Sequence, residues 1–339
     1  MKEKSFVHWI EELCQEDNEL VGKKCANLGE LARIGVRVPP GFALSVRVWE
    51  RFVELTGIAE KMKRLFEGEG AELHTPAKGE KVSRAVRVLI EAQEVPREIG
   101  DLIRGSYSQL CQRTGVNEVS VAVRSAGAVS MPGAMETYLN VRGEEDLLRK
   151  VLRVWSSAYT YRAILYRHRQ SLSVDYAPIG VAVLQLVDAK SAGVLMTANP
   201  TSGNTGEIVI ESNWGLGESV VSGVMNPDRF NVAKQGLVIT NRTVNKKLKM
   251  VVSKGEGTEM IDTEAGLQEA SSLTDHEIRE LGRVGLAIEK HFGVPTDIEW
   301  AYAAEASFPE SLYFLQARPM KPLPAYKDAI DKILDRMLG

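Results

Sequence analysis

The sequence predicts an α+β protein, on three observations. Amphipathic helical periodicity dominates the first half of the chain. Apolar runs rich in β-branched residues take over from about Ile179. The chain then closes on two strand-like stretches, DIEWAYA and SLYFLQARP, that read as a hairpin. Helices and strands are segregated rather than strictly alternating, which favours α+β over α/β. There is no internal repeat and no low-complexity tract.

Taken in order, residues 5–17 read as a short amphipathic helix. Residues 27–34 carry Leu28, Leu31 and Ile34 at helical spacing, with Gly35 suited to end the helix. Pro39, Pro40 and Gly41 turn the chain into a strand at 42–45. Residues 46–66 and 80–113 read as two helices, joined by the polar, glycine-rich stretch GEGAELHTPAKGE as an exposed connection. Residues 121–123 and 138–141 read as strands. The loop between them is built of small residues and carries Met131 and Met135 at its tip. Residues 144–169 read as one long helix ending in Arg162, Arg167, His168 and Arg169, cations that suit a solvated helix C-terminus. IGVAVLQLV, AGVLMTANP and EIVIESNW are strand-like. Thr274 with Glu277 forms a capping-box pattern opening a helix near 274–292. The implied organisation is residues 1–188, residues 189–322 and a C-terminal helix, 323–339, with Ile330, Ile333, Leu334 and Met337 on one face.

The 339 residues are 44% hydrophobic and 26% charged, with a formal net charge of -3. That is an ordinary globular composition, and it argues against a general nucleic-acid or anionic-membrane binder, either of which needs a net basic face, while leaving room for a local basic cleft. Cys14, Cys25 and Cys111 are far apart and form no CxxC pair, so neither a disulfide framework nor a zinc site is indicated. The N-terminus lacks a signal-peptide core, and the longest apolar runs fall short of a membrane span. The cytoplasm is the expected compartment.

Several nucleotide and hydrolase motifs are absent. There is no GxxxxGK[ST], GLGES at 215–219 lacks the third glycine of a dinucleotide fingerprint, and no HExxH or GxSxG occurs. The closing hairpin is more informative. Alternation puts Asp297 and Glu299 on one face and Ile298 and Trp300 on the other. On the partner strand Gln316 and Arg318 share a face, opposite Tyr313, Leu315 and Ala317. Hard oxygen donors of this kind suit magnesium, and an adjacent arginine suits a phosphate oxygen. A solvated strand face with a cross-strand ion pair has the same pattern. Lys24 lies in a turn before a helix, where phosphate is attracted, a position that an ordinary surface lysine also fills. Arg124 follows a buried-looking strand and would be costly there without a partner. Lys24, Arg124, Glu299, Gln316 and Arg318 together form the set expected of a nucleoside-triphosphate site without a P-loop.

In this order, VGKKCANLGEL, VAVRSAGAVSMPGAMET, NWGLGESVVSGVMNPDRF, DIEWAYA and FLQARP resemble the N-terminal ATP-binding region of the phosphoenolpyruvate synthase and pyruvate phosphate dikinase family. Phenylphosphate synthase and rifampicin phosphotransferase belong to the same group. The resemblance runs from about residue 20 to 320. It implies an ATP-grasp-like fold with two lobes that close over Mg-ATP. By the same resemblance Lys24 and Arg124 hold ATP phosphates. Ser130 to Thr137 form a phosphate-covering loop that includes Gly133, with Thr137 in direct contact. Gln185, Leu186 and Val187 form the adenine hinge, Glu299 and Gln316 bind magnesium, and Arg318 lies near the terminal phosphate. Glu211 and Glu218 border the site. Lys23 departs from the family pattern, which has glycine there.

Family members pass phosphate through a histidine in a TxH-type motif on a swivelling domain. None of His8, His74, His168, His276 and His291 sits in such a motif. The resemblance therefore implies the ATP-binding subunit of a split enzyme, served by a separate subunit that carries the phosphohistidine domain and the acceptor site. A phenylphosphate synthase-like enzyme acting on phenol is the expectation, and a split phosphoenolpyruvate synthase acting on pyruvate is the alternative. Two other readings are a nucleotide-responsive subunit without turnover and a free-standing ligase that releases ADP. The methionines of the 130–137 loop are candidates for a lid or for contact with the visiting histidine domain.

Overall fold

The computed structural model describes residues 5–68, 73–129, 131, 134–221, 223 and 225–320. The chain divides between Leu186 and Val187 into two compact units, with Gly35–Val38 belonging to the second and Lys254–Gly257 to the first. The tail helix expected at 323–339 lies outside the described residues.

The strands of the first unit are β1 (Val7–Trp9), β2 (Gly41–Leu44), β3 (Val121–Ala126), β4 (Thr137–Val141) and β5 (Gly180–Gln185). They form one antiparallel sheet in the order β1-β2-β5-β3-β4. Its helices are α1 (Asn18–Val21), α2 (Lys23–Arg33), α3 (Val46–Thr56), α4 (Ala59–Glu67), α5 (Pro76–Glu91), α6 (Arg97–Thr114), α7 (Glu144–Ser157) and α8 (Tyr161–Arg169). Alternation along the strands turns Phe42, Leu44, Val121, Val123, Val181 and Val183 to one face, where residues of α3, α5, α6 and α7 bury them. Trp49, Phe52, Trp155 and Tyr159 form an aromatic cluster in this core, with Phe52 and Trp155 centred 5.0 Å apart. The other face carries Ala43, Ala122, Arg124 and Ala182, so small side chains surround the arginine.

The second unit contains β6 (Ala189–Met196), β7 (Glu207–Trp214), β8 (Asp228–Ala233), β9 (Val238–Thr243), β10 (Lys249–Ser253), β11 (Thr258–Asp262), β12 (Thr296–Ala303) and β13 (Leu312–Pro319), with α9 (Glu218–Val221), α10 (Ala265–Gln268) and α11 (Asp275–Phe292). Six strands form a sheet in the order β13-β12-β6-β7-β8-β9, and β10 pairs with β11 as a separate ribbon. Helix α11 lies on one face of the large sheet, where Gly285 lets it approach Leu195. Its start is the capping box read from the sequence: the Thr274 hydroxyl accepts from Glu277 N, and Thr274 N donates to the Glu277 carboxylate at 2.8 Å.

The NPD motif has a structural role. Asp228 is fully buried and accepts from the Lys247 ammonium at 2.7 Å, from Asn245 N at 3.0 Å, and from Ser272 N and Oγ at 2.8 and 2.7 Å. Lys247 is equally buried, so each charge is tolerated only because the other is present.

The structure differs from the sequence expectation where tertiary contacts override periodicity. Residues 5–17 are not one helix. β1 pairs with β2, two 3-10 turns follow, and Trp9 is held between Phe42 and the Arg113 guanidinium. The helix expected at 46–66 breaks at Gly57, which closes α3 in the left-handed region. That at 80–113 breaks before Pro96, and α5 begins early because Pro76 suits a first helical turn. That at 144–169 breaks at 158–160, and the Thr160 hydroxyl caps α8 by accepting from Ala163 N. Arg167 is not part of a solvated helix end. It is buried, donates to Ala158 O at 2.6 Å, and lies over the Tyr159 ring.

Asp228→Asn removes the anion and leaves a buried, unpaired ammonium. It is expected to destabilise the protein by about 3–5 kcal/mol, read from the urea midpoint. A loss below ~1 kcal/mol contradicts the pairing.

Candidate functional site

In the first unit the two expected cations are brought together by backbone contact. Gly22 has φ +81°, and a Cβ there would lie 2.1 Å from Ala126 O. Lys23 N donates to Gly127 O at 3.1 Å. The start of α2 is thereby seated on the end of β3, and only glycine permits the approach. Lys24 and Arg124 both act electrostatically on Cys25, which lies fully buried behind them. Burial pushes the Cys25 thiol up to about 12, and the two nearby cations only partly offset it. Thr137 is exposed and pairs directly across from Arg124 in the sheet. Two cations and a hydroxyl are thus drawn to the same end of the sheet. Lys23 is exposed beside them.

Ser130 and Gly133 lie outside the described residues. The two loop methionines part company: Met135 packs against the core of the first unit. Met131 lines a groove of about 400 Å³ with Ala134, Arg162, Leu165, Tyr166 and Arg169. Thr160 Oγ1 donates to Ala134 O at 2.5 Å, and Arg87 pairs with Glu136 at 2.8 Å. The far end of the loop is therefore anchored. At the expected hinge, Gln185 N donates to Pro40 O and Leu186 N to Ser120 O, both at 2.8 Å. Val187 begins the second unit.

In the second unit β13 carries a bulge. Glu299 pairs with Gln316, but Trp300 pairs with Phe314, leaving Leu315 as the extra residue. This corrects the strict alternation read from the sequence. Phe314, not Tyr313, joins Ile298, Trp300 and Ala317 on the buried face. Tyr313 and Leu315 pack against Val187, Ala192 and Ala301 instead. Ala301 lies two residues from Glu299, and Ala192 two from Val194, so this apolar patch adjoins the carboxylate on the same face.

A single row crosses the sheet through directly paired residues: Gln316, Glu299, Val194, Glu211 and Arg229. Gln316 Nε2 donates to Glu299 Oε1 at 2.9 Å, and Arg229 pairs with Glu211 at 3.3 Å. In the next row Arg318 makes an ion pair with Asp297 at 2.6 Å, so the cross-strand pair is present beside the expected site. Glu218 is exposed at the start of α9. Glu299 and the Gln316 amide supply two adjacent oxygen donors, one of them anionic. That fits magnesium, which keeps waters and takes its remaining ligands from phosphate. Among the described residues, the grouping of three metal-type ligands within 4.8 Å is elsewhere, at Cys14, Glu16 and Glu30. Glu30 there is already engaged by Gln15 N and Arg33.

The sequence matches a nucleotide-binding class of domain. The chain belongs to the pyruvate phosphate dikinase AMP/ATP-binding domain family, which it matches over residues 18–336. It is 37% identical over 325 residues to the probable phosphoenolpyruvate synthase of Methanocaldococcus jannaschii, covering 94% of this chain and 27% of that protein. It is 36% identical over 361 residues to the phosphoenolpyruvate synthase of Pyrococcus furiosus, covering 94% and 44%. The probable phosphoenolpyruvate synthase of Methanothermobacter thermautotrophicus is 36% identical over 324 residues, with 94% and 46% covered. The chain spans less than half the length of these relatives. Among the described residues no helix is long and apolar enough to cross a membrane.

Sequence reasoning missed the apolar patch and the seating of Gly22. The patch had a signal, alanines two residues from Glu299 and from Val194, but the bulge that adds Leu315 had none. Gly22 was visible only as a glycine before a helix.

Thiol reagents at pH 8 are expected to leave Cys25 unmodified in the folded protein and to label it after unfolding, as peptide mapping will read. The unfolded thiol titrates near 9 and the folded one near 12, so the stability held by this proton is present below pH 9 and lost as pH rises toward 12. Rapid labelling of Cys25 in the native state contradicts the burial.

Proposed function

We propose that this chain is the ATP-binding part of a dikinase-type phosphotransferase, with an ATP-grasp-like fold. The observation that carries the reading is the convergence of Lys24 and Arg124 on the strand end that also presents Thr137. Lys24, Arg124 and Thr137 bind the phosphates of ATP. Glu299 and Gln316 hold magnesium, which when bound neutralises phosphate charge and orients the triphosphate. Arg318 leaves Asp297 to meet the terminal phosphate. Gln185, Leu186 and Val187 form the adenine hinge. Glu211 and Glu218 border the phosphates.

The fixed cations stabilise charge that develops on the phosphates as a histidine nitrogen attacks. The histidine is supplied by a phosphohistidine domain on a separate subunit. With one water consumed, ATP gives phosphohistidine, AMP and inorganic phosphate. The phosphate then passes to an acceptor. The names of the relatives favour pyruvate, and a phenylphosphate synthase-like transfer to phenol is the second reading.

The test is AMP release from Mg-ATP with the phosphohistidine partner and each acceptor in turn. Arg124→Ala is expected to lower AMP formation by about 100-fold, as loss of one charge-stabilising donor does. Glu299→Gln is expected to raise the magnesium concentration needed for half-maximal rate. AMP formation at the wild-type rate by Arg124→Ala overturns the assignment, and release of ADP without any partner supports a ligase instead.

A further inference from the structure

The backbone of the GLGES stretch fixes it onto the second unit's own sheet. Gly215 has φ +72°, and a Cβ there would lie 2.2 Å from Val251 O. Gly215 N donates to Lys190 O at 2.9 Å, and Leu216 N donates to Val251 O at 2.8 Å. Gly217 then passes over the sheet, where its Cβ position is 3.6 Å from Ala192 Cβ. The loop therefore lies on the face that carries Glu299 and Glu211, beside the alanine patch.

Asn213 is the side chain that sets this path. It is fully buried at the end of β7, pairs with Ala192, and stands two residues from Glu211 on the same face. Its Oδ1 accepts from Trp214 N at 2.8 Å. Its Nδ2 donates to Ser219 Oγ at 3.1 Å and to Lys249 O at 3.4 Å. The Trp214 N–H on one side and the Lys249 carbonyl on the other fix which end of the amide faces which way. Ser219 is buried as well, and the exposed Glu218 stands immediately before it. One amide thus ties strand end, ribbon and loop together.

We propose that Asn213 is a positioning residue for nucleotide binding. Through Ser219 it holds the 215–219 loop, and with it Glu218, against the carboxylate face. Asn213 itself does not touch the ligand. This rests on the nucleotide reading given above.

Ser219→Ala removes the acceptor without burying a charge, and it avoids the cavity that truncating Asn213 creates. Three measurements on the full chain decide the matter: calorimetric titration with the magnesium complex of a non-hydrolysable ATP analogue, amide hydrogen exchange of residues 215–219, and the thermal midpoint. The expected result is faster exchange in the loop and analogue affinity reduced about five-fold, the worth of one hydrogen bond, with the midpoint shifted by no more than about 4 °C. Faster exchange with unchanged affinity overturns the proposal, because the loop is then pinned to no effect on the ligand. Unchanged exchange and affinity overturn it too. If the wild-type chain itself fails to bind the analogue, the nucleotide reading has failed, which is a different result from a wild type that binds and a variant that binds equally well.

Discussion

The contact between Gly22 and the Ala126 carbonyl is the constraint on which the proposed chemistry of the first unit depends. Without a Cβ at residue 22, the start of α2 sits directly on the end of β3. Two motifs about a hundred residues apart in the chain, VGKK and AVRS, become one local structure. The cost of placing Arg124 within a strand is moderated by the partly exposed position it takes. The neighbouring thiol reports the same environment. Cys25 stays neutral because desolvation outweighs the attraction of both cations.

The second unit follows a different logic. Its sheet has one face buried under α11, and its other face holds the row from Gln316 to Arg229. The bulge in β13 is what lets both functions coexist. It keeps Phe314 in the core while turning Leu315 and Tyr313 to the face of Glu299, so an apolar patch and a carboxylate lie side by side. Polar residues away from this face are spent on structure. Asp228 and Lys247 neutralise each other at full burial, Asp275 pairs with Arg242 of β9, and Glu277 caps the start of α11.

Much of this was legible in the sequence, for identifiable reasons. Thr274 with Glu277 specified a helix start through a local hydrogen-bond pattern, and the structure keeps it. EIVIESNW is the strand β7 in full, because its β-branched run is bounded by turn residues. Local rules failed where distant residues decide the outcome. Trp9 and Val7 read as helix until β2 offered a pairing partner. Arg167 read as a surface cation, yet backbone carbonyls and a tyrosine ring make its burial tolerable. Alternation along the closing strands put Glu299 and Gln316 on the polar faces, and they pair across the hairpin, whereas Leu315 reaches the alanines beside them only through the bulge, which leaves no mark in the alternation. Asn213 was passed over because a buried amide in a strand carries no pattern of its own.

The central proposal is that Lys24 and Arg124 bind the phosphates of ATP. A crystal structure of the chain with magnesium and a non-hydrolysable ATP analogue tests it most directly. The expected result is a nucleotide whose phosphates touch Lys24 and Arg124. A nucleotide whose phosphates touch neither residue contradicts it.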